Sequence, residues 1–534
     1  MDKPVVLIAE ELSPATLDAL GADFEIRRCT GSDRDALLEA LPAADAVLVR
    51  SATRLDGEAI AAGARLKVIG RAGVGLDNVD VPAASRAGVM VVNAPTSNIV
   101  SAAELTVGLL LAVARNIPRA DAALRSGHWQ RSRFTGVELA DKTLGIVGLG
   151  RIGSLVARRM AAFDMRVIAY DPYVPPAYAT QTGVRIVGLD ELLAESDFLT
   201  VHLPKTPETE GLIGFDALHR VKPTVRIVNA ARGGIVDEAE LYAALKEGRV
   251  AAAGVDVFAT EPCTESPLFE LDNVVVTPHL GAGTAEAQER AGVAVAEAVR
   301  QALAGRFVPE AVNVRLGAVD DELAPWLLLA ERLGRLFTAT AGSLPELLQV
   351  RVCGEIGRHD VAALELGALK GALGSVVEGG ISYVNAPLIA HERGLATELL
   401  TGPDHPEHRS LLSVQGVLPC GETVWVSGTL TGLQRRERLV DVCGFEVDLP
   451  LEGDVAFLRA PDRPGVILAV GEVLSRAGQD VDGVQVARSV GRAEILAAVN
   501  TAGPVAQAVL DDMAARIDAT RSWSLEKSDR TAAR

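Results

Sequence analysis

Three residues in this sequence have the types needed to move a proton beside a carboxylate: Arg232, Glu261 and His279. Each is reached through a β-branched run. VRIVNAA (225–231) leads into Arg232, AAAGVDVF (251–258) carries Asp256 and leads to Glu261, and NVVVTP (273–278) leads into His279. In a parallel sheet the strand C-termini share one edge, so an arginine, an acid and a histidine meet there by topology. That set suits oxidation of a secondary alcohol next to a carboxylate. His279 takes the hydroxyl proton, since an imidazole changes protonation near neutral pH. Glu261 holds the other ring nitrogen and favours the imidazolium that forms, and Arg232 clamps the carboxylate with its planar fork. In reverse, His279 is the general acid. Any one of these could be an ordinary turn residue; the set of three after strands of one sheet carries the reading.

The hydride needs an acceptor, and a second motif supplies its site. In TLGIVGLGRIGSLVARRM (143–160) the pattern G-x-G-x-x-G falls on Gly148, Gly150 and Gly153, after a strand and opening a helix. The next strand, RVIAYD, ends in Asp171. Glycines there allow backbone N–H groups to approach a pyrophosphate at the helix N-terminus, with Arg151 and Ile152 alongside, and the acid binds the ribose hydroxyls. A carboxylate at that point repels the extra phosphate of NADP, so NAD is the expected cofactor. The loop RAGVGLDN has glycines at Gly73 and Gly75 but lacks the third glycine, and it reads as facing substrate. His202 precedes Leu203 and Pro204 at another strand end, within reach of the cofactor.

Arg50 ends AVLVR and Arg71 ends KVIGR. Two arginines at neighbouring strand ends form a site for a divalent anion, against the blander reading of solvated surface residues. D-lactate or glyoxylate would need no such pair.

Positioning these residues requires parallel sheets. Strand-like and helix-like stretches alternate over the first 300 or so residues in two series, with a long apolar helix, SAAELTVGLLLAVARNIP, between them. Ser97 and Asn98 read as its caps, and Pro118 as its end. The expected architecture is α/β. A substrate lobe (1–98 plus 288–315) holds an inserted Rossmann-type lobe (99–287), both doubly wound. An α+β domain (316–453) and a ferredoxin-like β-α-β-β-α-β unit (454–527) follow. Acidic residues outnumber basic ones by 70 to 52, giving a net charge of −18 that argues against nucleic-acid binding. The five cysteines form no C-x-x-C pair, which suggests neither a disulfide framework nor a metal site. The N-terminal apolar stretch is too short for a signal peptide, and the longest apolar run, VGLLLAVA (107–114), is too short to span a bilayer. A soluble cytoplasmic protein is the expectation.

GLGRIG, the Asp171 ending, NAARGGIVDE, DVFATEP and TPHLGAGT together resemble the D-2-hydroxyacid dehydrogenases over roughly the first 315 residues. RSAT, GRAGVGLDNVD, NAPTSNIVSAAE and the C-terminal domains narrow the resemblance to the long, phosphoglycerate-oxidising branch of that family. The resemblance implies D-3-phosphoglycerate as substrate and a homo-oligomer. It places Gly73, Val74 and Asn98 at the substrate or cofactor. It also implies cofactor contacts from Leu203, Ala230, Ala231, Arg232, Asp256, His279, Leu280, Gly281 and Ala282. A loop such as SGHWQRSRF reaches a neighbouring subunit's cleft in the family, which marks Arg131. The D-R-P-G turn from Asp462 through Arg463 to Gly465 is similar to the start of an ACT domain, whose usual effector here is serine. Where the family often has asparagine, this chain has Asp480, which accepts hydrogen bonds but cannot donate as an amide does. The intervening domain is credited with anion binding in the family. Arg435, Arg436 and Arg438 are the basic candidates, beside the acidic stretch GFEVDLPLEGD. Two alternatives stay open: another D-2-hydroxyacid dehydrogenase acting on hydroxypyruvate, glyoxylate or 2-oxoglutarate, and a non-catalytic dinucleotide-sensing scaffold.

Overall fold

The computed structural model describes residues 3–174, 183–304, 306, 308–314, 322–374, 376–377, 381–451, 453–489 and 493–526. The first lobe is a five-stranded parallel sheet of β1 (Val5–Ile8), β2 (Glu25–Arg28), β3 (Ala46–Val49), β4 (Val68–Arg71) and β5 (Met90–Asn93), in the order 2-1-3-4-5. The central strands are buried on both faces because helices cover both, so they read as continuous apolar runs. The helix Ala285–Leu303 lies across β4 and β5. Its close approach depends on Gly70, where a Cβ would stand 2.6 Å from Val295 Cγ1. The chain then runs back beside β5, where Val312 N donates to Val91 O and Asn313 Oδ1 accepts from Val91 N.

The second lobe is a seven-stranded parallel sheet of β6 (Thr143–Val147), β7 (Arg166–Tyr170), β8 (Arg185–Ile186), β9 (Phe198–Val201), β10 (Arg226–Asn229), β11 (Ala252–Val255) and β12 (Val274–Val276). Its order is 12-11-10-9-6-7-8. The helix Ile99–Arg115 packs on β10 and β11, burying Leu109, Leu110 and Val113. Its ends differ from the sequence reading. Asn98 occupies the N-cap position without a side-chain capping bond, and the Ser97 hydroxyl instead donates to Ala94 O. The helix stops at Arg115 because Asn116 turns left-handed at φ 54°. Pro118 belongs to the first turn of the next helix, Ile117–Arg125, where its missing N–H costs nothing.

In the C-terminal half, the helices Ala324–Ala341 and Ala362–Gly374 cross closely. Cβ atoms at Gly334 and Gly371 would fall 2.0 and 1.9 Å from carbonyl oxygens of the facing helix. They pack on a six-stranded sheet: β13 (Leu347–Gly354), β14 (Ala396–Gly402), β15 (Ser410–Val417), β16 (Thr423–Thr431), β17 (Arg436–Val442) and β18 (Phe445–Pro450), ordered 14-13-15-16-17-18. The stretch RLVDVCGFEVDL, which reads as one run, is two strands. Cys443 and Gly444, at φ 52° and 86°, make the tight hairpin turn whose twist suits antiparallel strands. Last come β19 (Asp454–Pro461), β20 (Val481–Arg488), β21 (Glu494–Thr501) and β22 (Arg521–Leu525), antiparallel in the order 20-21-19-22. With the helices Val466–Arg476 and Gln507–Arg516 they give β-α-β-β-α-β connectivity. The expected domain edges at 315/316 and 527 lie outside the described residues.

Candidate active site

The carboxyl edge of the second sheet carries the candidate pair His279 and Glu261. His279 follows β12 and sits at φ 53°, its N–H donating to Asp256 O (2.8 Å) and Thr277 O (3.1 Å). Its Nδ1 lies 2.6 Å from Glu261 Oε2. The other Glu261 oxygen accepts from Phe258 N at 2.9 Å, so the carboxylate is held from both sides. A carboxylate accepts only, so it fixes a proton on Nδ1 and leaves the Nε2 lone pair free to take another.

Asp256 is the hub of the turn. It is fully buried; Oδ1 accepts from Thr277 Oγ1 (2.6 Å) and Leu280 N (2.7 Å), and Oδ2 from Gly281 N (3.0 Å). Burial pushes its carboxyl up from the ordinary range, against the pull of those hydrogen bonds. The Ser101 hydroxyl, on the helix that begins at Ile99, donates to Gly281 O at 2.9 Å and ties the turn to the lobe junction.

Arg232 is placed by Asn229, whose amide nitrogen donates to Arg232 O (3.0 Å) and whose oxygen accepts from Ala231 N (3.1 Å). The two lobes meet here: a Cβ at Gly75 would lie 3.2 Å from Arg232 Nη2, and Arg71 lies close enough to Arg232 and Arg50 to be repelled by both. Burial above all, then those two charges, lowers the Arg71 guanidinium from its ordinary value, while Asp77 and Glu10 oppose the shift. Its Nε is shut from solvent without a hydrogen-bond partner. Three guanidiniums and an orphaned donor form a place that an anion would complete. Glu10 shapes its rim, accepting from the backbone N–H of Arg50 (2.8 Å), Ala52 (3.3 Å) and Thr53 (2.9 Å). Asn93 donates to Val74 O at 2.7 Å, fixing the Gly73–Val74 loop, while Asn98 opens the neighbouring helix.

At the glycine turn, Gly148 adopts φ 96° and a Cβ there would meet His202 O at 2.6 Å. At Gly153 it would meet Gly148 O at 2.2 Å, so these two glycines serve packing. Gly150 differs, because no protein atom lies within 4 Å of its missing Cβ. Its openness in front of the helix Arg151–Ala161 fits a group outside the chain, as a pyrophosphate would be. Asp171 accepts from Leu149 N (2.9 Å) and Tyr173 N (2.9 Å), which sets it at the tip of the adjacent strand. Ile152 follows in that helix, and Leu203, Ala230, Ala231, Leu280 and Ala282 all lie on loops leaving this same edge. Burial pushes His202 down to about 4, so it is a neutral imidazole, with Nε2 3.1 Å from Thr200 Oγ1.

The remaining expected residues lie outside this cleft: Arg131 is expected at a neighbouring subunit's cleft, and Asp462, Arg463, Asp480, Arg435, Arg436 and Arg438 belong to the C-terminal domains. Arg131 lies in the exposed turn Arg131–Phe134, whose Arg133 pairs with Asp272 at 3.3 Å. Asp272 precedes β12, at the end opposite His279, so this loop sits away from its own cleft. Asp462 and Arg463 are paired with Arg488 (2.9 Å) and Asp518 (2.5 Å), and Asp480 is exposed before β20. Arg435 and Arg438 face Glu322 (3.9 Å) and Asp448 (2.5 Å), and Arg436 donates to Gln434 (3.1 Å). The sequence reading did not single out Glu10, Asn229 or Ser101. Glu10 and Asn229 share a signal with the chosen residues, a polar side chain at a strand's C-terminal end. Among the described residues no three His, Cys, Asp or Glu side chains are grouped to hold a metal ion.

A parallel-sheet lobe with this glycine turn and this edge defines the D-2-hydroxyacid dehydrogenases. Residues 107–281 match the family model for the D-isomer specific 2-hydroxyacid dehydrogenase NAD binding domain. Residues 322–443 match that for the D-3-phosphoglycerate dehydrogenase intervening domain. D-3-Phosphoglycerate dehydrogenase of Mycobacterium leprae is 55% identical over 91% of this chain and 92% of its own. The enzyme of that name from Archaeoglobus fulgidus is 41% identical over the same shares. The chain belongs to the D-3-phosphoglycerate dehydrogenase family. Solved structures align over just over half the chain. A Paecilomyes thermophila glyoxylate reductase is 32% identical with TM-score 0.52, covering 57% of this chain and 96% of that one. D-Lactate dehydrogenase from Aquifex aeolicus, complexed with NAD and lactic acid, is 29% identical with TM-score 0.50, covering 56% and 96%.

Proposed function

We propose that this chain oxidises D-3-phosphoglycerate to 3-phosphohydroxypyruvate with NAD, the entry to the phosphorylated route to serine. The observation that carries the choice of substrate is the meeting of Arg50, Arg71 and Arg232, with the orphaned Arg71 Nε, beside the His279–Glu261 pair. NAD, when bound at the Gly148–Gly153 turn and Asp171, supplies the hydride acceptor. Arg232 holds the substrate carboxylate with the Gly73–Val74 loop, and Arg50 and Arg71 hold the phosphate. His279 Nε2 takes the hydroxyl proton, and Glu261 stabilises the imidazolium across the 2.6 Å contact. Asp256 holds the turn so that Leu280, Gly281 and Ala282 line the cofactor side.

The discriminating experiment measures NADH formation with D-3-phosphoglycerate, D-lactate and 2-hydroxyglutarate. A preference for D-3-phosphoglycerate supports the assignment, preference for either other acid makes the chain a different D-2-hydroxyacid dehydrogenase, and no turnover with NAD still bound makes it a sensing scaffold.

The cytoplasm is the proposed setting; no single helix among the described residues is long and apolar enough to cross a membrane. The protein works as a homo-oligomer in this reading, with Arg131 offered to the cleft of a second copy. The C-terminal βαββαβ unit serves as the serine-sensing module through Asp462, Arg463 and Asp480. Serine titration of wild type and Asp480→Asn tests this; no binding in either leaves the unit structural.

A further inference from the structure

Arg50 directly follows β3, the strand between β1 and β4, and the turn it opens is fastened to both neighbours. On the β1 side Glu10 directs both carboxylate oxygens at backbone: Oε1 accepts from Arg50 N (2.8 Å) and Thr53 N (2.9 Å), and Oε2 from Ala52 N (3.3 Å). On the β4 side Asn78, in the loop that follows Arg71, donates its amide hydrogens to Arg50 O (2.7 Å) and Thr53 O (2.6 Å). Its backbone carbonyl accepts from Leu55 N at 2.8 Å, which extends the attachment to a fully buried leucine. Thr53 is itself fully buried, and a Cβ at Gly31 would fall 2.1 Å from its hydroxyl oxygen, so the turn has no room to settle on that side.

Two side chains thus satisfy five backbone groups within Arg50–Thr53, yet the Arg50 guanidinium makes no ion pair or hydrogen bond among the described residues. An acid beside an arginine commonly takes up the guanidinium itself. Here it holds the arginine's main chain and leaves the side chain unmatched. By charge alone Glu10 opposes an anionic ligand, and it is close enough to act on Arg71. Geometry, not charge, is what it contributes.

We propose that Glu10 and Asn78 are positioning residues for the substrate phosphate, locking the Arg50–Thr53 turn between the ends of β1 and β4 so that Arg50 stands free beside Arg71 before substrate arrives. Glu10 fixes the N–H side of the turn and Asn78 the carbonyl side. Because Asn78 belongs to the loop that follows Arg71, it also sets the spacing of the two guanidiniums. The inference rests on the reading of Arg50 and Arg71 as the phosphate clamp.

Initial rates of NADH formation with D-3-phosphoglycerate test it in wild type, Glu10→Gln, Glu10→Ala, Asn78→Ala, Arg50→Ala and the double variant Glu10→Ala/Arg50→Ala. Glutamine keeps an acceptor for Arg50 N and Thr53 N and removes the charge, so Glu10→Gln leaves KM within about threefold of wild type or lowers it. Glu10→Ala and Asn78→Ala each raise KM about tenfold or more, with kcat and NAD affinity within about twofold, because the loss falls on ground-state binding. Adding Glu10→Ala to Arg50→Ala raises KM less than about twofold further, since the group being positioned is already gone. A role through charge alone has the opposite sign: KM falls in both Glu10 variants, and the proposal is overturned. It is overturned equally by an unchanged KM in either alanine variant, by Glu10→Gln as impaired as Glu10→Ala, by parallel losses of kcat and NAD affinity, or by full additivity in the double variant. An unchanged KM in Arg50→Ala removes the phosphate reading itself, and the inference with it.

Discussion

Glu261 offers the sharpest test, because its two substitutions should fail by different amounts for a structural reason. Glu261→Ala removes the carboxylate and leaves His279 free to take either tautomer. A charge-assisted hydrogen bond contributes about 1.5–3 kcal/mol, and with the two side chains 33% and 42% exposed a loss of about 1–2 kcal/mol is reasonable, or roughly 5–30-fold in kcat. Glu261→Gln looks more conservative and should be worse. Phe258 N donates to Oε1 at 2.9 Å, so the amide oxygen of glutamine takes that position and its NH₂ faces His279 Nδ1. An NH₂ donor there requires Nδ1 to accept, which puts the ring proton on Nε2, where the base must be empty. A wrong-tautomer penalty of this kind reaches about 10⁴-fold in serine proteases, so a kcat loss of roughly 10²–10⁴ is expected here. NAD affinity, by fluorescence titration, and KM for D-3-phosphoglycerate should stay within about threefold in both variants, since Glu261 is not needed for ground-state binding. The assay is initial-rate NADH formation at saturating substrate. If Glu261→Gln retains more activity than Glu261→Ala, the tautomer argument is wrong and Glu261 acts only as a nearby charge.

Three further outcomes follow from the same geometry. Arg50→Ala and Arg71→Ala should each raise KM for D-3-phosphoglycerate about 10–100-fold, the loss of a charge-assisted contact, with kcat changed much less; an unchanged KM in both would refute the phosphate assignment. Gly150→Ala should weaken NAD binding roughly tenfold or more without lowering the unfolding temperature, whereas Gly153→Ala, whose methyl would stand 2.2 Å from Gly148 O, should cost about 1–3 kcal/mol of stability. Asp256 bears on pH. Its folded value is raised above the ordinary 3.8, so whatever stability it contributes is present below the unfolded value and lost as pH rises through the folded one. Activity runs the other way: protonation on acidification removes an acceptor from Leu280 N or Gly281 N, so kcat should fall at a pH above 3.8 while the protein remains folded. Asp256→Asn should have low kcat throughout and lack that acid limb, which pH profiles of kcat alongside thermal unfolding would show.

Much of this was legible in the residues because it is local. A glycine turn, the acid one strand later, and the polar residues that end β-branched runs are set by neighbours a few positions away, and parallel topology alone gathers strand ends on one edge. NAD as cofactor and the α/β class came from those patterns, and so did the proposal of Arg232, Glu261 and His279. Helix limits were less legible: Asn116 turning left-handed ended a helix before Pro118 could, and Cys443–Gly444 broke what read as one strand. Only tertiary structure decided which partners meet. It brought Gly75 of one lobe against Arg232 of the other, made Asp256 a buried hub with every accepted bond accounted for, and set the Arg131 loop away from its own cleft. Such contacts join distant stretches of chain through packing, and no periodicity or local spacing encodes them.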